Sequence, residues 1–166
     1  SAVLLRADGQ SVLRCPLESP MVGTVDQLEL LGGPWRGLAS GNGRTMWALS
    51  KDHIPTRLQP RPGSLAELIP EIEFVQFGDA SALALHALHN HSLLGLGPNG
   101  RLHEWPLNGG QARSWDIPRS EIVWTSLCAT REALYLTGIG QGGRGAAGVW
   151  RTELPAELHM ALEQEH

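Results

Sequence analysis

Lysine is nearly missing from this chain. Lys51 is the only one, so positive charge rests on arginine, and the formal net charge is −4 over 166 residues. A nucleic-acid footprint needs a basic face, and this composition supplies none. Cysteine is scarce too: Cys15 and Cys128 stand far apart, outside any CxxC pair, and are too few for a disulfide framework. They read as buried, reduced thiols, which favours a soluble, intracellular setting. No run approaches the roughly 20 apolar residues of a membrane helix, so no membrane partner is expected. Residues 1 to 5 are too short for a signal-peptide core. The motifs of hydrolytic chemistry are also missing, with no HExxH, no GxSxG and no cysteine in a nucleophile setting. An enzyme is therefore unsupported, and no cofactor is expected.

Glycine and proline are plentiful. Twenty glycines and 11 prolines recur between short apolar runs instead of gathering in one tail, and the chain is 42% apolar. That is the composition of many strands and turns in one well-buried domain. The chain also repeats itself. "VLLRADGQSVLRCPL" (3 to 17) and "SLLGLGPNGRLHEWPL" (92 to 107) share a Leu-Leu run, a turn ending in glycine, a second run and a closing Pro-Leu. Asp8-Gly9 and Asn99-Gly100 are dipeptides that accept positive φ in a tight hairpin. Looser copies lie at 45 to 60, turning at Lys51-Asp52, and at 133 to 155, where a glycine-rich stretch lengthens the turn.

The closing prolines, Pro16, Pro60, Pro106 and Pro155, are 44, 46 and 49 residues apart. That interval suits a propeller blade of about four antiparallel strands. Proline lacks the N–H that a ladder needs, so the prolines are expected on the outer strand of each blade. Further runs at 25 to 33, 71 to 79 and 121 to 128 add strands upstream. The chain thus reads as a single domain, 1–166, with units at 1–17, 25–60, 71–109 and 121–155 and a tail at 156–166. Residues 61 to 70 read as a proline-bounded insertion with a single helical turn over Ser64 to Ile69. The tail opens on Pro155 and continues in good helix formers, which predicts a short C-terminal helix.

The strands "GQSVLRC" (9 to 15), "GRLHEW" (100 to 105) and "GVWRTE" (148 to 153) each follow a turn glycine. In them the pattern resembles the β-propeller superfamily, nearest to WD40-like and RCC1-like repeats. The resemblance implies an all-β fold of propeller-like antiparallel blades, about three and a half of them. Such a stack leaves sheet edges and apolar faces uncovered. The chain therefore reads as part of a propeller in a larger chain or multiprotein assembly. It would act as a protein–protein interaction module with a partner over its open blades. The alternative is a hydrolase or carbohydrate-binding protein on the same scaffold.

Few residues invite chemistry. "HALHNH" places His86, His89 and His91 within six residues, and His103 follows one hairpin later. On a helix, His86 and His89 would share a face at a spacing that can hold zinc. The equivalent stretch of the previous unit is broken by glycines, so a strand is expected, on which these histidines do not converge on a metal. His103 could then approach His86 across the sheet. "GIGQGGRGAAG" (138 to 148) fits GxGxxG but has no helix after it to receive an anion, and reads as a long hairpin loop with Arg144 at its tip. Trp47, Trp105, Trp124 and Trp150 fall in strand-like runs and belong to the core. Trp35 with Arg36, and Arg113 with Trp115, sit in apparent loops and are the expected interaction anchors, because aromatic and arginine side chains dominate hot spots. Glu71 with Glu73, or Glu104 with Asp116, would be the carboxylate pairs of a glycosidase, although alternating acids usually mark a wet strand face.

Overall fold

The structure is a computed structural model that describes residues 2–15, 26–40, 46–64, 66–71, 82–88, 91–97, 100–107, 110–119, 121–140 and 147–164. Arg144, His89, Glu73 and most of the run 71 to 79 lie outside the described residues. The described residues form fourteen strands and one helix. They fall into four blades. The first holds β1 (Ala2–Leu5), β2 (Ser11–Cys15) and β3 (Asp26–Leu30), each antiparallel to the next. The second holds β4 (Gly37–Ser40), β5 (Met46–Leu49), β6 (Pro55–Pro60) and β7 (Glu67–Pro70). The third holds β8 (Ala84–Leu88), β9 (Ser92–Leu96), β10 (Arg101–Pro106) and β11 (Arg113–Asp116). The fourth holds β12 (Ile122–Ala129), β13 (Ala133–Gly140) and β14 (Gly148–Glu153), followed by α1 (Ala156–Glu163).

Alternation along each strand explains how the blades stack. In β5 all four residues are buried: Met46 and Ala48 face the first blade, while Trp47 and Leu49 face the third. In β9 all five are buried; Leu93 joins Trp47 and Trp105 on one side, and Leu94 and Leu96 join β12 and β13 on the other. A strand covered on both faces reads as a continuous apolar run because every side chain enters a core. Three apolar clusters result, one at each junction between successive blades. Each fully buried leucine contributes roughly 1.5–3 kcal/mol relative to exposure. Gly95 keeps one junction tight, since a Cβ there would collide with the Trp105 ring.

The turns match the sequence. Gly9 and Gly100 take φ of +66° and +72°, a region open to glycine without Cβ strain. Trp47, Trp105 and Trp124 are buried, and Trp150 packs against Trp124 edge to face with centroids 5.3 Å apart. The tail helix forms, and Leu158 and Leu162 close the last junction, so the helix is held by packing and not by a side-chain cap.

The phase of the repeat differs from expectation. β3 pairs with β2, so the first blade has three strands, and the run that opens at residue 25 belongs to it instead of starting the second unit. Residues 67–70, expected within a helical turn, are strand β7, paired antiparallel with β6 and, over Glu29↔Glu67 and Leu30↔Leu68, parallel with β3. Leu68, 6% exposed, enters the core there, and burial outweighs local helix preference. Pro60 and Pro106 therefore end the third strand of their blades, with β7 and β11 outside them. The pair Pro106↔Ser92 is the last of its ladder, where a missing N–H costs least.

Candidate functional site

The histidines first. β8 is a strand, and His86 pairs with Leu94 while His103 pairs with Gly95. The two rings therefore lie on opposite faces of one blade and do not approach each other, because side chains alternate across the pleat. His86 bonds through Nε2 to the Ala129 carbonyl oxygen at 2.9 Å, tying β8 to the end of β12. His103 Nδ1 lies 2.7 Å from Ser114 Oγ on β11. Burial, with the Arg101 charge nearby, pushes the His103 pKa below its ordinary value. His91 Nε2 is 3.6 Å from Glu104 Oε2. Among the described residues no group of three or more His, Cys, Asp or Glu side chains is placed to hold a metal.

Glu104, read from the sequence only as a candidate catalytic or wet-face acid, organises this region. Glu104 is wholly buried, and Oε1 accepts from Arg113 Nε at 2.8 Å and Nη2 at 2.7 Å. Its neighbours in the ladder are Leu94 and Arg113, so it sits on the blade face that meets β12 and β13, and the wet-face reading fails for it. Asp116 lies on the opposite face and pairs with the exposed Arg101 at 3.3 Å, so the two carboxylates do not form a catalytic pair. A carboxylate can be buried this way only because a guanidinium reaches it. The clue was present: an acid between Leu102 and Trp105 in an otherwise apolar strand.

The expected anchors are not loop residues. Arg113 and Trp115 stand on β11, with the guanidinium 5.4 Å from the ring centroid. Trp115 packs against the core, and its Nε1 donates to Glu157 of α1 at 3.2 Å. Trp35 is 5% exposed and belongs to the first junction, so it offers no exposed anchor. Gly9 and Gly33 make the room: a Cβ at either would strike Trp35. Arg36 is exposed, 3.4 Å through Nη1 from His53 Nε2. Cys128, expected to be buried, is exposed on β12.

What remains open is the outer face of the fourth blade. Val123, Ile139 and Val149 are 53%, 45% and 71% exposed. Val123 faces Ile139 directly, and Val149, opposite Thr137, is diagonal to Ile139, so the three form one apolar strip across β12, β13 and β14. A register shift between Trp124 and Ser126 bulges β12 and brings Thr125 and Ser126 hydroxyls to 2.9 and 2.6 Å from Thr137 Oγ1. Tyr135 and Cys128 continue the row. The face carries short apolar and hydroxyl side chains at one end, and Tyr135 with the exposed Arg151 at the other.

No family model matches the chain, and no curated protein matches it. Solved structures do. The chain is similar to BBS1N, solved in complex with ARL6DN, at 14% identity and a TM-score of 0.51, covering 92% of this chain and 51% of that one. It is also similar to BamB from Moraxella catarrhalis (11% identity, TM-score 0.42, 94% of this chain and 48% of that one). A third is the N-terminal domain of Nup159 (16%, 0.43, 93% and 42%). The chain thus spans about half the length of these propellers. With the stacked antiparallel blades already described, the likeness to BBS1N supports the fold: the chain is a partial β-propeller, its described residues forming four blades and a short C-terminal helix.

Proposed function

We propose that the chain is a protein–protein interaction module, an arc of propeller blades whose outer face on β12 to β14 is covered by a protein partner or by further blades. The apolar strip Val123, Ile139 and Val149 carries this reading. Each of the three other junctions buries such a strip against the next blade, and here nothing among the described residues covers it. Contiguous apolar residues on a sheet face mark an interaction site more often than scattered ones do. That BBS1N was solved with ARL6DN supports the reading, as one propeller holding a protein partner.

The test compares the wild-type chain with Val149→Arg and Ile139→Arg after confirming equal thermal unfolding. The expected result is hydrophobic-dye binding by the wild type that both variants lose. Proteins that co-purify from the native source should be identified by mass spectrometry and lost from the variants. A wild-type chain that sediments as a monomer, binds no dye and co-purifies the same proteins as Val149→Arg overturns the reading.

A further inference from the structure

A second surface lies at the end of the stack where the β5–β6 turn meets the strand that opens the third blade. The turn is built by His53 N donating to Ser50 O at 2.9 Å and Ile54 N donating to Ser50 Oγ at 3.2 Å. His53 takes φ of +61°, a left-handed conformation that is costly for an L-residue. Such strain persists where the surroundings impose it, often at sites of function. Here the imposition is visible: the His53 carbonyl accepts from Ala82 N at 2.9 Å, across to the third blade. Arg36, held by its N–H to Leu49 O at 2.8 Å, points Nη1 at His53 Nε2, 3.4 Å away. On either side, Ile54 is 47% and Leu83 42% exposed.

The pair has a donor and no acid beside it. Arg57, Arg61, Arg101, Arg113 and Arg119 each have a carboxylate partner; Arg36, like Arg6, Arg131 and Arg151, has none among the described residues, and its guanidinium instead lies against an imidazole. A guanidinium can only donate, so His53 Nε2 must accept, and the ring proton then sits on Nδ1. Nδ1 is buried and has no hydrogen-bond partner among the described residues. A buried N–H without an acceptor is costly. A carboxylate between Arg36 and His53 would accept from both. The imidazole proton would then move to Nε2, and Nδ1 would be left as a bare acceptor.

We propose that Arg36 and His53 form a carboxylate-recognition spot for an acidic peptide segment whose apolar side chains rest on Ile54 and Leu83. A single carboxylate suits the spot better than a polyanion, because Asp52 and Asp8 are exposed on the same end of the stack and the chain carries −4 overall. The apolar flank, divided between two blades, suits an extended peptide. This surface is separate from the outer face of the fourth blade.

The test is fluorescence anisotropy with a labelled octapeptide of alternating Asp and Leu, alongside Lys-Leu and Asp-Ser octapeptides, with sodium sulfate as competitor. The Asp-Leu peptide is expected to bind at least 10-fold more tightly than either control. Arg36→Gln and Ile54→Ser should each weaken it at least 5-fold, while Arg131→Gln, in the turn between β12 and β13, should leave it unchanged. His53→Gly relieves the backbone, so it should unfold at no lower temperature than wild type while also losing at least 5-fold in binding. Val149→Arg should bind the peptide like wild type, so failure of this spot is distinguishable from failure of the blade face. Equal binding of Asp-Ser and Asp-Leu, displacement by equimolar sulfate, or a folded His53→Gly that binds like wild type would each overturn the proposal.

Discussion

The two faces of the fourth blade are made by the same three strands, yet they have opposite fates. On one face Trp124, Leu127, Leu134 and Leu136 are at most 8% exposed, covered by the third blade and α1. On the other, Val123, Ile139 and Val149 are between 45% and 71% exposed, with hydroxyls between them. The covered face is built from large leucines and tryptophans, the open one from valine, isoleucine, hydroxyls, Tyr135 and Arg151. Stability resides on the first face; the second is the one proposed for recognition.

The sharpest way to break that contrast is at the charge under the covered face. Arg113→Ala leaves the buried Glu104 carboxylate without its guanidinium, with only His91 nearby, and should destabilise by about 3–5 kcal/mol in urea titrations. Leu136→Ala should follow at about 2–5 kcal/mol, because Leu136 is 1% exposed and its cavity cannot be filled by solvent. On the open face, Val149→Ser and Val123→Ser should each change stability by no more than about 0.5 kcal/mol by the same measure. A large loss there would show that the face is covered in the isolated chain.

The smallest expected effect is a pH dependence from the third blade. The His103 pKa is lowered in the fold by burial and by Arg101, so the unfolded chain takes up its proton first as pH falls. Its contribution to stability is therefore intact above about pH 6.5 and declines below it, as the unfolded histidine titrates. Ser114 accepts or donates to the same ring, and Trp105 lies 5.7 Å from it. His103→Gln should flatten that part of the stability–pH curve, as followed by thermal unfolding between pH 7.5 and 5 in steps of roughly half a unit.

The strand class, the hairpin glycines and the terminal helix were legible because each depends on local chemistry. A glycine that must take positive φ or a Pro155 that opens a helix needs no knowledge of neighbours. The phase of the repeat was not legible. Proline is tolerated at the end of any ladder, so Pro60 and Pro106 mark a strand terminus without saying which strand lies outside it. β7 was missed for a related reason: four residues become a strand only when β6 and β3 supply hydrogen bonds. Trp35 was misplaced because loop sequence was equated with exposure, although Gly9 lets the Trp35 backbone approach closely and Gly33 makes room for its ring. Glu104 was invisible as a buried ion because its partner comes from another strand, nine residues on.

The parallel contact between β3 and β7 is only two residue pairs long, yet it turns two blades into one seven-stranded sheet. Repeat proteins usually lose their units piecemeal, each stabilised only by its neighbours. Here the first two blades are stitched at the rim as well as packed at the face. Their amide protons should exchange with solvent as a single cooperative block, while the fourth blade, with one face uncovered, opens on its own. The arc is thus expected to have a firmer root and a softer lip, and the softer lip carries the face proposed for docking.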